Sequence, residues 1–279
     1  MATTTSLNIA FIGGGNMASA LIAGLLAKGQ PTTLLHVVET DAEKLADFHA
    51  QGLNTYNASN IDDTKHAIEK ADVVVLAVKP QVMKDVLLPV KDSWGEQVVI
   101  SIAAGIGTDS LAEWLGPQVK LVRAMPNTPA MIQMGATGLY ATAAVSEAEQ
   151  QLAQQVMSAA GLVLWVDDEE LLHAVTAISG SAPAYFFYML ENMIATGEKL
   201  GLTQTQATAL AMQTALGSAQ MALTSHDTPA ELRRKVTSPN GTTQAAIEVM
   251  DAKKMHQIIA DAMLACEQRS RELSLAFGK

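Results

Sequence analysis

The segment Gly13-Gly14-Gly15-Asn16-Met17-Ala18 follows directly on the β-prone run 7–12 and opens an amphipathic stretch, 16–28, that closes on Gly29. Glycine at the first and third positions lets the main chain turn sharply and lets a pyrophosphate approach it. The small Ala18 lets helix and strand lie close, and the first helical amides hold the phosphate charge. In this strand, loop and helix context the pattern predicts a dinucleotide-binding βαβ unit, with Gly13, Gly14, Gly15, Asn16 and Met17 against the cofactor. Further β-prone runs at 34–39, 73–78, 98–102, 120–124 and 162–166 alternate with helical patterns at 42–51, 80–90 and 146–160. Such alternation is the sequence form of a parallel sheet covered by helices. The expected fold class is α/β, a Rossmann-type doubly wound parallel sheet over residues 1–167.

After Asp167 the β-prone runs stop, so residues 168–279 are expected to form an all-helical domain. The stretch 207–223, ATALAMQTALGSAQMAL, is apolar or small nearly all the way round and must be buried on every side. Either it is the central helix of a bundle or, as we expect, this domain packs against its counterpart in a second chain. Composition agrees: apolar residues make up 49% and charged residues 16%, against about 25% charged in typical domains. A formal charge of −10 leaves no footprint for a polyanion, so nucleic-acid binding is not expected. Apolar runs such as 73–78 fall far short of the ~20 residues a spanning helix needs, and residues 1–8 lack the features of a signal peptide. With Cys266 as the only cysteine, no intrachain disulfide is available and a cytoplasmic location is expected.

The second β-prone run ends at Glu39, 21 positions beyond Ala18, near the offset of a carboxylate that bonds the adenosine ribose. That favours NAD, although Thr40 and the backbone beside it leave NADP open. Ligands of open parallel sheets bind beyond the carboxyl ends of the strands. There stand Ala77-Val78-Lys79-Pro80, then Ala103-Ala104-Gly105, then Met125-Pro126-Asn127-Thr128-Pro129, small or proline-stiffened loops suited to a flat ring. In the helical half, Ser238-Pro239-Asn240-Gly241 is a turn signal opening into the helical pattern 244–250. Its outward amides suit a small carboxylate, or are plainly capped by Ser or Thr. Ser179 and Ser181 lie near His173 in sequence, but without G-x-S-x-G and a preceding strand they make no nucleophile elbow. The six histidines show no paired ligand spacing, so no metal is expected, and the fourteen methionines read as core and interface.

Taken together, 11–17, 77–80, 123–129, 179–185 and 236–243 resemble the pyrroline-5-carboxylate reductase family, in order and over nearly the whole chain. The resemblance implies an oxidoreductase that uses NADPH or NADH to reduce a small imino acid, the last step of proline biosynthesis. It also implies a homodimer built through the helical domain, with five dimers assembling into a decamer. By resemblance the glycine loop, Ala77, Val78, Lys79, Pro80, Ala103 and Ala104 hold the cofactor, with Glu39, Thr40 and Asn127 on the same rim. Ser238, Asn240, Gly241, Thr242 and Thr243 hold the substrate carboxylate. Thr176 matches the hydroxyl near the imine nitrogen, with Ser179 and Ser181 beside it. Two departures stand out: Asn240 replaces a more usual glycine, and Glu39 stands where many members suit NADP. Two rivals share the N-terminal fingerprint, a β-hydroxyacid dehydrogenase and a dinucleotide sensor without chemistry. The lysine pattern G-x-x-x-N-x-x-K of the former is missing from 191–199.

Overall fold

A computed structural model describes residues 7–277. The chain forms two compact units, Met1–Ser181 with Cys266–Lys279, and Ala182–Ala265. The tail of the last helix and residues 168–181 thus go with the first unit, whereas the change in composition falls at Asp167.

In chain order the first unit contains β1 (Ile9–Ile12), α1 (Asn16–Ala27), β2 (Leu35–Glu39), α2 (Ala42–Ala50), β3 (Asn54–Asn57), α3 (Ile61–Lys70), β4 (Val73–Leu76) and α4 (Pro80–Leu87). There follow β5 (Val98–Ser101), α5 (Thr108–Leu115), β6 (Lys120–Met125), β7 (Gly135–Ala141), α6 (Glu147–Met157), β8 (Gly161–Trp165) and α7 (Leu171–Val175). One eight-stranded sheet runs β3-β2-β1-β4-β5-β6-β7-β8, with β1 to β6 parallel. The β7 strand is antiparallel to β6 and parallel to β8, so the last two strands run the other way.

Alternate residues of each central strand enter different cores. Ile9, Phe11, Val73, Val75, Val98 and Ile100 pack on the side that includes α1, whereas Ala10, Ile12, Val74, Leu76 and Val99 pack on the side that includes α3 and α5. Strands buried on both faces read as continuous Val/Ile runs, and β4, VVVL, is an instance. Two strands escaped the sequence reading. The β3 strand is a polar edge segment, NTYN, only partly buried, and β7, GATGLYA, carries two glycines.

The end of the first unit is tied down by charge. Arg123, buried at the sheet, donates to Glu169 at 2.7 Å, and Glu169 also accepts from the Thr108 amide at 2.8 Å and hydroxyl at 2.5 Å. Arg271 pairs with both Glu170 and Glu267, and His173 Nδ1 meets Ser270 Oγ at 2.8 Å.

The second unit holds α8 (Ala182–Lys199), α9 (Gln204–Thr224), α10 (Pro229–Lys235), α11 (Thr242–Ala252) and the start of α12 (Met255–Phe277). Helices α8 and α9 lie close because Gly197 has no side chain: a Cβ there would come within 2.9 Å of Ala207 Cβ. Reciprocal capping boxes open α9, Thr203 with Gln206, and α10, Thr228 with Glu231. No described helix is long and apolar enough to cross a membrane.

Candidate active site

The glycine loop has the geometry its sequence requires. Gly13 has φ +103°, and a Cβ there would lie 2.9 Å from the Ala77 carbonyl, because the ends of β1 and β4 nearly touch. Its amide donates to Val38 O at 2.8 Å, fixing the loop to β2. A Cβ on Gly14 would strike Phe48, whereas one on Gly15 would meet nothing within 4 Å among the described residues. Gly15 therefore opens onto free space at the N-terminus of α1, which has no side-chain cap and no acidic residue in its first turn. Uncapped amides carrying the positive end of a helix dipole beside an open cradle suit a diphosphate.

A cavity of about 760 Å³ continues from that cradle over the ends of β1, β2 and β4. Val38, Ala58, Ile61, Val78, Val82 and Val86 make it largely apolar, as a purine needs, while Glu39, Thr40, Lys44, Ser59, Thr64 and Asp85 are among its polar lining residues. Ala77 and Lys79 line it as well, and Pro80 starts α4 at its first position. Ala58 and Ser59 went unseen in the sequence because β3, the strand that delivers them, is short and polar. The Asn57 side chain turns the chain there by accepting from Ser59 N at 2.9 Å.

Glu39 is the most heavily bonded side chain of this rim. One carboxylate oxygen accepts from Gly14 N at 2.9 Å, and the other from Thr40 N at 2.7 Å, Thr40 Oγ1 at 3.1 Å and Asp41 N at 3.2 Å. Burial pushes its pKa up, but these donors outweigh burial and hold it below the usual carboxylate value. The group is a fixed anion at neutral pH.

Further along the rim, Ala103 is buried after β5 and Ala104 is exposed beside it. Asn127 follows β6, and both ends of its amide are occupied. Nδ2 donates to Ser179 O at 3.1 Å, and Oδ1 accepts from Ala136 N at 2.8 Å. Asn127 thereby ties residue 179 to the sheet rim.

The segment 176–183, which reads as a break between helices, is in fact a π-helical turn, Thr176–Gly180, between α7 and α8. Ser181 N bonds Thr176 O at 2.8 Å, five residues back. Thr176 Oγ1 donates to Leu172 O at 2.8 Å and Ser179 Oγ to Val175 O at 2.9 Å, so both hydroxyl protons are spent inside the helix. Ser181 Oγ accepts from Cys266 Sγ at 3.2 Å. π turns widen a helix and recur at functional sites.

In the second unit, Ser238 to Gly241 form a turn closed by Gly241 N donating to Ser238 O at 3.1 Å. Asn240 sits at φ +57°, the left-handed region that glycine favours and asparagine tolerates, so it can stand where glycine is usual. Gly241 is the N-cap of α11 and makes no side-chain cap, which leaves the Thr242 and Thr243 amides as first-turn donors.

The fold and the cofactor rim together define a dinucleotide-dependent oxidoreductase architecture followed by a helical unit. Residues 8–105 match the family model described as NADP oxidoreductase, coenzyme F420-dependent, and residues 169–273 match that of pyrroline-5-carboxylate reductase dimerisation. A pyrroline-5-carboxylate reductase of Pseudomonas aeruginosa is 48% identical over 272 residues, covering 97% of this chain and 98% of the relative. The solved pyrroline-5-carboxylate reductase of Coxiella burnetii superposes with TM-score 0.91 at 41% identity, covering 97% of this chain and 99% of that one. That of Plasmodium falciparum, solved with NADP bound, gives TM-score 0.85 at 25% identity, covering 96% and 98%. The chain belongs to the pyrroline-5-carboxylate reductase family.

Proposed function

We propose that this chain reduces the C=N bond of 1-pyrroline-5-carboxylate to L-proline with NADH or NADPH, the closing step of proline biosynthesis. The observation that carries this reading is the 48% identity to a reductase of that name across nearly all of both chains. When bound, the reduced nicotinamide supplies the hydride.

The remaining work is positioning. Amides at the start of α1 and the Gly15 cradle hold the diphosphate, and the turns at 77–80 and 103–104 border the ring. Thr176 has given its hydroxyl proton to Leu172 O, so it offers the substrate a lone pair. It accepts the N–H of the protonated imine. That form is already electrophilic, and addition of hydride to its carbon leaves a neutral secondary amine with no further proton needed. The Ser238 hydroxyl and the Thr242 and Thr243 amides, on a turn shaped by Asn240 and Gly241, take the carboxylate, each charge-assisted bond contributing roughly 1.5 to 3 kcal/mol. Fixed geometry contributes up to ~7 to 11 kcal/mol of the barrier reduction when the reacting atoms are well aligned.

Copies of the chain associate through the helical unit as homodimers, and five dimers form the decamer. Its sole cysteine suits the reducing cytoplasm. The test is loss of the reduced-nicotinamide absorbance on adding pyrroline-5-carboxylate to purified protein, with a 2-hydroxy acid and oxidised cofactor as control. Turnover of the hydroxy acid instead would overturn the assignment.

A further inference from the structure

We infer that Glu39 makes this member of the family select NADH and reject NADPH. The inference rests on the reductase reading for its cofactor class and goes beyond it by choosing between the two nucleotides.

The 2′-phosphate of NADPH arrives where the second strand of a doubly wound sheet ends, and a protein that accepts it must supply donors and positive charge there. Here the donors at that point already have acceptors. Gly14 N, Thr40 N, Asp41 N and the Thr40 hydroxyl all point at the Glu39 carboxylate, at 2.7 to 3.2 Å. Two further amides, Glu43 N and Lys44 N, point at the Asp41 carboxylate, at 3.0 and 3.3 Å. Two carboxylates thus accept from the Thr40, Asp41, Glu43 and Lys44 amides where β2 runs into α2.

The charge balance runs the same way. Against Glu39, Asp41 and Asp85 stand two lysines among the described residues: Lys44, whose Nζ is 3.9 Å from Glu39 Oε2 and whose charge that carboxylate partly offsets, and Lys79, which follows β4 and not β2. No arginine lines this cavity among the described residues. A dianionic phosphate would face fixed negative charge at a rim with few donors left, and it could not make Glu39 protonate, because the same four bonds favour the ionised form. Like-charge juxtaposition of this kind discriminates strongly against the wrong partner. The ribose of NADH, by contrast, brings hydroxyl donors. Glu39 Oε2 carries one short hydrogen bond, from Gly14, and so retains acceptor capacity for them.

The contrast with a relative sharpens the point, since the Plasmodium falciparum enzyme was solved with NADP bound. In this chain the choice lies in one side chain and the amides it occupies.

The experiment is direct titration of the full-length protein with NADH and with NADPH, without substrate, followed by nicotinamide fluorescence and calorimetry. The wild type should bind NADH about 100-fold more tightly, a difference of about 2.8 kcal/mol at 1.4 kcal/mol per tenfold. Glu39→Ser, which frees the four donors, should tighten NADPH and weaken NADH. Glu39→Gln, which keeps the shape but removes the charge, should narrow the ratio by weakening the discrimination against NADPH. Equal or tighter NADPH binding by the wild type overturns the inference while leaving the reductase reading intact. Binding of neither nucleotide overturns both. The wild-type comparison needs no variant to fold.

Discussion

The two units bury apolar surface to very different extents. In the first, Ile9, Phe11, Val75 and Ile100 are essentially inaccessible, and two continuous cores flank the sheet. In the second, made from a similarly apolar sequence, Leu210 is 59% exposed, Phe187 64% and Leu223 78%, and the only buried apolar residues are Ala182, Leu190, Ala207 and Ala211. Few soluble chains leave so much large apolar surface in water unless it is an interface. The first unit completes its core within one chain, whereas the second is the surface on which copies meet. Apolar content alone did not separate them. Period did: two-residue alternation across a sheet gives two faces that helices of the same chain can cover, while α9 is apolar or small on nearly every face.

The largest effect should come from charging the second unit. Leu216→Glu, at a position 56% exposed in the single chain, should bring the light-scattering mass down to that of one chain. A charge buried without a partner at an interface is strongly destabilising. An unchanged oligomer mass would break the comparison between the units.

The first unit should respond in the opposite manner. Phe11→Ala removes a ring with 0% exposure from the sheet core and should cost ~3–5 kcal/mol in urea unfolding. The oligomer mass should stay as it was. Dissociation of this variant under native conditions would show that the cores are not independent.

How far each unit could be read in the sequence follows the same division. The strands β1, β2, β4, β5, β6 and β8 were legible because β-branched and apolar runs between helical patterns have few other uses. The β3 strand was hidden by its polar residues at a sheet edge, and β7 by Gly135 and Gly138, which depress β propensity while letting other groups approach closely: a Cβ on Gly138 would lie 2.7 Å from Val175. The glycine loop and the position of Glu39 were legible as spacing. Its clamp of four donors was not, because Gly14 lies 25 residues away and only folding brings it near. Thr176 and Ser179 looked like a break between helices, since the π turn depends on a bond from Ser181 N to Thr176 O that leaves no mark in composition.

Thr176→Ala comes next in size and probes the chemistry of the first unit alone. Losing an acceptor for a charged N–H should lower kcat about 10- to 100-fold, as 1.5–3 kcal/mol for a hydrogen bond to a charged group implies. The Michaelis constant for the cofactor should hardly change, and Thr176→Ser, which can still bond Leu172 O and offer a lone pair, should recover most of the rate. Equal loss in Ser and Ala variants would assign the residue a packing role.

The smallest effect at neutral pH, and the most selective for the first unit, concerns its buried histidines. His36 in β2 meets Tyr56 Oη through Nδ1 at 3.1 Å, and its Nε2 is buried without a partner among the described residues. Burial, then the positive charge of Lys70 and His66, lowers its pKa below the usual 6.5. His173, beside Ser270, is lowered by burial and then by Arg271. Both groups bind fewer protons folded than unfolded, so stability rises with pH up to and through about 6.5 and is lost as pH falls below it; only well above 6.5 are both states neutral and the contribution complete. Backbone hydrogen exchange at pH 7.5 and pH 5.5 should therefore show β2 and α7 opening more readily in acid, with His36→Phe removing part of that slope. The second unit has no histidine among its buried residues, so the exposed helices should lack this acid response. Equal acid loosening of α9 and β2 would mean that the two units open together, and the independence argued from their cores would fail.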